Sequence, residues 1–205
     1  MKQNNWFDPF HIQSHLSEEE LVIQKNVRQF CEKELRPSVV KMNRKHEFNI
    51  NLYPKFGSLG VLGQTVKSHG GSGTSNLAYG LVAYEFEKID SSYRSSISVQ
   101  SSLVIHPINE FGSKDQKDKY LPELINGKKI GCFGLTESEA GSDPASMKTT
   151  FKETKDGYIL NGSKNWITNA PIADIFIIWA LDENKDHKSI KGFILEKNFK
   201  GLKTS

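Results

Sequence analysis

The sequence predicts an α+β chain, with an N-terminal all-α helical domain over residues 1–127 and an antiparallel β domain over 128–205 that reads as truncated. Three observations predict it. Apolar residues recur at helical spacing up to about residue 125, then give way near Gly131 to short apolar runs separated by turn dipeptides. No βαβ alternation occurs, which argues for two packed modules and against a doubly wound sheet. The chain stops at Ser205, shortly after the apolar run 192–195, so the sheet is expected to be incomplete.

Each element has a local cause. Ser17 followed by Glu20 is a capping box. Ile23, Val27, Phe30, Cys31 and Leu35 then share a helical face up to Pro37, where the run is expected to stop. Two further helices are predicted over 76–89 and 94–111. In the second, Ile97, Ser101, Val104, Ile108 and Phe111 share a face, and Pro107 is expected to kink or interrupt it. Ser113 with Gln116 opens a last helix carrying Tyr120, Leu121, Leu124 and Ile125, closed by Gly127 at C′. Strands are predicted over 130–135, 147–151, 158–160, 175–181 and 192–195. Asp156-Gly157 and Asn161-Gly162 are turn dipeptides of the kind that join antiparallel strands. The Gly-rich stretch 69–73 follows no clear strand and reads as a loop.

Composition narrows the function. The chain is 37% hydrophobic and 25% charged with a formal net charge of +3. Basic and acidic residues number 15 and 14 over 1–125, and 12 and 10 over 126–205, so no basic stripe marks a nucleic-acid face. No apolar run approaches the ~18 residues a membrane span needs. The first twenty residues lack an apolar stretch and are not Arg-rich, which predicts neither a secretory signal nor a transit peptide and makes the cytoplasm the default compartment. Cys31 and Cys132 lie 101 residues apart and are expected to be core thiols. The six His residues (11, 15, 46, 69, 106 and 187) show no metal-ligand spacing.

Three constellations carry chemistry. Residues 134–143, GLTESEAGSD, crowd hydroxyls and backbone amides where a strand runs into a loop, which suits a flat heteroaromatic ring or a phosphate and equally suits an ordinary turn. Glu137, Glu139 and Asp143 in that loop are expected to be solvated or turn-capping. Trp166 and Thr168 are two apart and expected on one side of a strand, as a stacking and hydrogen-bonding pair or as plain core. Arg94 is one of only 4 Arg against 23 Lys, which hints at a planar, bidentate task such as gripping a carboxylate; a surface or capping role is the alternative. Ser98 lies one turn beyond it.

Read with their neighbours, these blocks resemble a known family. The stretch 131–143, GCFGLTESEAGSD, followed by 165–169, NWITN, closely resembles the two flavin-side signatures of the acyl-CoA dehydrogenases. Tyr93-Arg94-Ser95, then 98–104, SVQSSLV, and His106-Pro107 look like the glutaryl-CoA type. The resemblance implies that FAD is the cofactor, lined by Phe133, Leu135, Thr136, Gly141, Ser142, Trp166, Ile167 and Thr168. Thr136 would sit near the pyrimidine edge, Ser142 near the pyrophosphate and the substrate, Trp166 on the isoalloxazine and Thr168 near N5. Arg94, with Ser95 and Ser98, would hold the distal carboxylate of a glutaryl group, and Glu87 would orient Arg94. It further implies α,β-dehydrogenation with decarboxylation to crotonyl-CoA, an electron-transfer flavoprotein as acceptor, and the mitochondrial matrix as the compartment in a eukaryote.

The same resemblance marks what is missing. The family's general-base glutamate belongs to a C-terminal helical domain that nothing here matches, so no catalytic residue is assigned within this chain. A homo-oligomer is expected once the chain is completed, or a complementary chain that supplies the base. Ser138 replaces the usual proline after the Thr-Glu pair, and Lys128-Lys129 replaces Gly-Glu. Two alternatives stand beside the glutaryl reading: a dehydrogenase of another short-chain acyl-CoA, and a non-catalytic module that binds flavin, acyl-CoA or another protein.

Overall fold

The computed structural model describes residues 8–184 and 189–204. Residues 1–7 of the stretch read for a leader, and His187, lie outside them. Among the described residues seven α-helices precede five strands: α1 (Glu18–Phe30), α2 (Arg36–Lys45), α3 (Leu52–Ser58), α4 (Asn76–Glu87), α5 (Ser91–Ser98), α6 (His106–Phe111) and α7 (Lys114–Ile125), then β1 (Gly131–Gly134), β2 (Thr150–Thr154), β3 (Gly157–Asn161), β4 (Ile175–Asp182) and β5 (Ile190–Glu196). Both capping boxes form, at Ser17 with Glu20 and at Ser113 with Gln116. Gly127 takes φ 72°, a left-handed value open to glycine at no steric cost. No helix among the described residues is long and apolar enough to cross a membrane.

Neither proline ends its helix. A π-helical stretch, Cys31–Leu35, joins α1 to α2, and another, Val99–Ile105, joins α5 to α6. In each, the residue before the proline bonds five residues back: the Arg36 N–H to the Cys31 carbonyl, and the His106 N–H to the Ser101 carbonyl. A proline cannot donate to the turn behind it and crowds the carbonyl four residues back. The wider turn skips that missing bond, so the expected stop at Pro37 becomes a continuous helix. The shared face also ends earlier than its periodicity suggests. Ile97, Ser101, Val104 and Ile108 are buried, whereas Phe111, at the last turn of α6, is 84% exposed.

The sheet is mixed. β4 is its centre, with β5 antiparallel along one edge. β1 pairs in parallel with β4 at Ile175–Ile178, and β2 pairs in parallel at Leu181 and Asp182. Only the β2–β3 and β4–β5 pairs are antiparallel, which corrects the expectation of a wholly antiparallel sheet. Short turns impose antiparallel pairing, and the long connections that bring β1 and β2 to β4 carry no such constraint. Asn161-Gly162 ends β3 without starting a hairpin, and Gly162 (φ 151°) passes so close to Thr149 that a Cβ would lie 2.4 Å from its Oγ1.

One core spans helices and sheet. Ile130, Ile175 and Ile177 join Phe56, Phe86, Ile97, Val104 and Leu121 in a single buried cluster. A smaller cluster of Cys132, Ala173 and Phe176 lies apart from it. Burial pushes both thiols up to about 12, as inert core cysteines. Gln100, fully buried, is the polar joint: its Nε2 donates to the carbonyls of Leu124 and Lys129, both at 2.9 Å, and its Oε1 accepts from the Gly131 N–H at 2.7 Å. Gln100→Leu would leave the Lys129 carbonyl and the Gly131 N–H without partners, the Leu124 carbonyl keeping its bond from the Gly127 N–H, and is expected to destabilise the chain by about 3 kcal/mol. Urea unfolding checks this, and a change under about 0.5 kcal/mol, the range of an ordinary surface substitution, would contradict it.

Candidate functional site

Three segments gather around β1. The first is the loop 135–143, which follows β1; the second is 162–169, which follows β3; the third is α5. Asn165 N–H donates to the Thr136 carbonyl at 2.9 Å, tying the two loops by their backbones. Asn169 ties the second loop to the helices: its Nδ2 donates to the Gly131 carbonyl at 3.1 Å, and its Oδ1 accepts from Ser96 Oγ at 3.2 Å. Ser96 Oγ is itself 2.6 Å from the Tyr53 hydroxyl. The helix that carries Arg94 is thus bonded to the loop that carries Trp166.

Trp166 is not on a strand. Its backbone takes φ 61°, Asn169 takes φ 71°, and the Trp166 side chain is 91% exposed. The expected strand pair Trp166 and Thr168 is therefore replaced by a loop, because the ties at Gly162, Asn165 and Asn169 leave no partner strand for 162–169. A left-handed non-glycine residue costs of order 1–3 kcal/mol and persists where its surroundings over-determine it. Ile167 is half-buried against the smaller core cluster, and Thr168 is exposed. Leu135 and Thr136 are half-buried, and Gly141 and Ser142 are exposed. Phe133 is half-buried, edge-on to Trp179 with ring centroids 5.9 Å apart.

Arg94 lies on the first turns of α5, its side chain 39% exposed, and its Nε donates to Glu87 Oε2 at 2.7 Å. Ser91 Oγ donates to the other oxygen, and these bonds hold the Glu87 carboxyl below its usual range. Ser95 and Ser98 are half-buried on the same helix.

The carboxylates of the first loop are all engaged. Glu139 pairs with Lys148 in solvent, and Asp143 Oδ1 accepts from the Ala145 N–H at 3.1 Å. Glu137 departs from its expected solvated role: it is buried and accepts from Lys164 Nζ at 2.7 Å, from the Lys148 N–H at 2.6 Å and from the Thr149 N–H at 3.0 Å. Burial opposes its charge, but these donors outweigh burial and hold the carboxyl at about 2. A carboxyl held below its unfolded value of 4.5 stabilises the fold above that pH. That stabilisation, about 3 kcal/mol, is expected to fade as pH falls from 4.5 towards 2. Acid titration of stability checks this, and Glu137→Gln should flatten that part of the curve.

Lys164, Asn169, Ser96 and Gln100 were not legible as site-building residues. Each acts through a partner remote in sequence, and Lys164 is one of 23 lysines with no local mark. Among the described residues no group of three or more His, Cys, Asp or Glu is placed to hold a metal.

Comparison with known proteins agrees with this layout. The N-terminal domain model of acyl-CoA dehydrogenases matches residues 17–128, and the middle domain model matches 132–205. A short-chain specific acyl-CoA dehydrogenase of Clostridium acetobutylicum is 38% identical, over 92% of this chain and 50% of its own length. The structure of a glutaryl-CoA dehydrogenase from Mycobacterium smegmatis in complex with FADH2 superposes with a TM-score of 0.90 at 40% identity, covering 94% of this chain and 49% of that one. Butyryl-CoA dehydrogenase from Megasphaera elsdenii gives a TM-score of 0.83 at 36% identity, over 91% and 50%. The chain spans about half the length of the curated relatives it matches. It belongs to the acyl-CoA dehydrogenase family, whose N-terminal and middle domains it carries.

Proposed function

We propose that this chain forms the flavin-side half of an FAD-dependent dehydrogenase acting on a glutaryl-type acyl-CoA. The observation that carries the reading is Trp166, a large aromatic face turned out to solvent on a strained backbone beside a loop of exposed hydroxyls. The donor set fits the cofactor. Glu137 and Glu139 are paired with Lys164 and Lys148, which leaves the Thr136, Ser142 and Thr168 hydroxyls beside two neutralised carboxylates. A Cβ at Gly141 would meet nothing within 4 Å, so the surface beside it is open.

In this reading Trp166 would stack on the flavin ring, Thr168 and Thr136 would donate to it, and Ser142 would serve the pyrophosphate and the substrate. Phe133, Leu135, Gly141 and Ile167 line the remainder. When bound, the flavin supplies acceptance of a hydride from the β-carbon of the acyl thioester. Arg94, flanked by Ser95 and Ser98 and held by Glu87, grips the distal carboxylate. No residue of these loops is assigned as the base for the α-proton, which is proposed to lie in the part of the family's length that this chain does not span. An electron-transfer flavoprotein is the proposed acceptor.

A second reading has its own observation: the Arg94 guanidinium is already paired with Glu87, which favours an uncharged short acyl chain. The test of the common core is the visible absorption spectrum of the purified chain after incubation with FAD and removal of free cofactor. A retained flavin band is expected, and its absence would overturn flavin binding by this chain.

A further inference from the structure

We infer that Lys164 and Glu137 form a positioning pair that sets the spacing of the two flavin-side loops. The inference rests on the flavin reading of those loops. Lys164 Nζ donates to the Leu135 carbonyl at 3.0 Å and to Glu137 Oε1 at 2.7 Å, and lies 3.7 Å from Met147 Sδ. Both side chains are buried, at 7% and 9% exposure. The pair therefore reaches from the residue two before Trp166 to the residues on either side of Thr136. The Asn165–Thr136 backbone bond runs alongside it.

A buried ion pair is a poor source of stability, because desolvating both charges cancels much of their attraction; a well-packed apolar pair would do as well or better. What the pair provides is geometry. A charged lysine with a short bond to one carboxylate oxygen and one carbonyl has a single place to sit, and it carries both loops with it. Glu137 is in turn fixed by two backbone N–H groups at the approach to β2, so the sheet is the reference for both loops. A first shell held by such supports keeps its spacing in the absence of ligand, and binding then pays less for ordering.

The test compares the wild-type chain with Lys164→Met and Lys164→Arg in two measurements: FAD titration, and backbone hydrogen exchange without cofactor. Lys164→Met is expected to weaken FAD binding about tenfold and to raise exchange in 135–143 and 164–169 while leaving α7 unchanged. Lys164→Arg, which keeps the charge, should restore most of the affinity. Glu137→Gln, which keeps the shape, supplies the same comparison should Lys164→Met fail to fold. Unchanged affinity and exchange would overturn the pair's role, as would exchange raised evenly through the chain. If the wild-type chain binds no FAD, the flavin reading fails for this chain. Exchange then decides the clamp alone: a rise confined to the two loops supports it, and no rise overturns it.

Discussion

Trp166→Ala is expected to strip the flavin from this chain while leaving its fold intact. Two features of the residue make the effects separable. Its side chain is 91% exposed, so deleting it removes almost no packing, and the change in stability should stay within about 0.5 kcal/mol. A stacked aromatic face is worth about 1–3 kcal/mol to a bound heterocycle, which is roughly a 5- to 150-fold loss of affinity. Equilibrium dialysis with FAD measures the loss, and thermal unfolding of the same sample supplies the control. Equal affinity in the two proteins would remove Trp166 from the site. A loss of both affinity and stability would mean that the side chain supports the loop instead of the ligand. Retention of the left-handed backbone at position 166 is expected in the variant, because Asn165 and Asn169 anchor the loop by bonds that do not involve the indole.

Arg94→Ala is expected to separate the two substrate readings. With the FAD-loaded chain, glutaryl-CoA should bind roughly 10- to 150-fold more weakly than to wild type, the worth of a charge-assisted bond of about 1.5–3 kcal/mol. Butyryl-CoA, which has no distal carboxylate, should bind as before. Among the described residues Arg94 is engaged through Nε, by Glu87, which leaves the two Nη groups for a planar partner. Arg94→Lys should not rescue, since an ammonium cannot hold Glu87 and a carboxylate in one plane. Equal losses on both thioesters would sink the clamp and favour the uncharged acyl reading.

The N-terminal helices were legible because their signals are local. Ser17 with Glu20 and Ser113 with Gln116 satisfy their own helix ends within four residues, and both caps form. The stop expected at Pro37 fails for the same reason, whereas the interruption expected at Pro107 is present as the π stretch ahead of it. Periodicity and proline chemistry describe a helix by itself, whereas the π stretches at Cys31–Leu35 and Val99–Ile105 are sustained by a core in which Cys31, Leu35, Val104 and Ile105 are all buried. The strand positions could be read from apolar runs. Their directions could not, because the parallel pairing of β1 and β2 with β4 depends on connections too long for turn chemistry to set.

The site divides in the same way. The sequence by itself determined which residue types stand together: an arginine among serines, a Thr-Glu loop after a strand, and a Trp-Ile-Thr-Asn block. The tertiary structure decided how they face one another. It turned Trp166 off its expected strand and out to solvent, tied its loop to α5 through Asn169 and Ser96, and buried Glu137 against Lys164. Spacing along the chain encodes only what lies within a turn or two. Bonds between residues 27 or 73 positions apart exist only once the core has brought the two ends together.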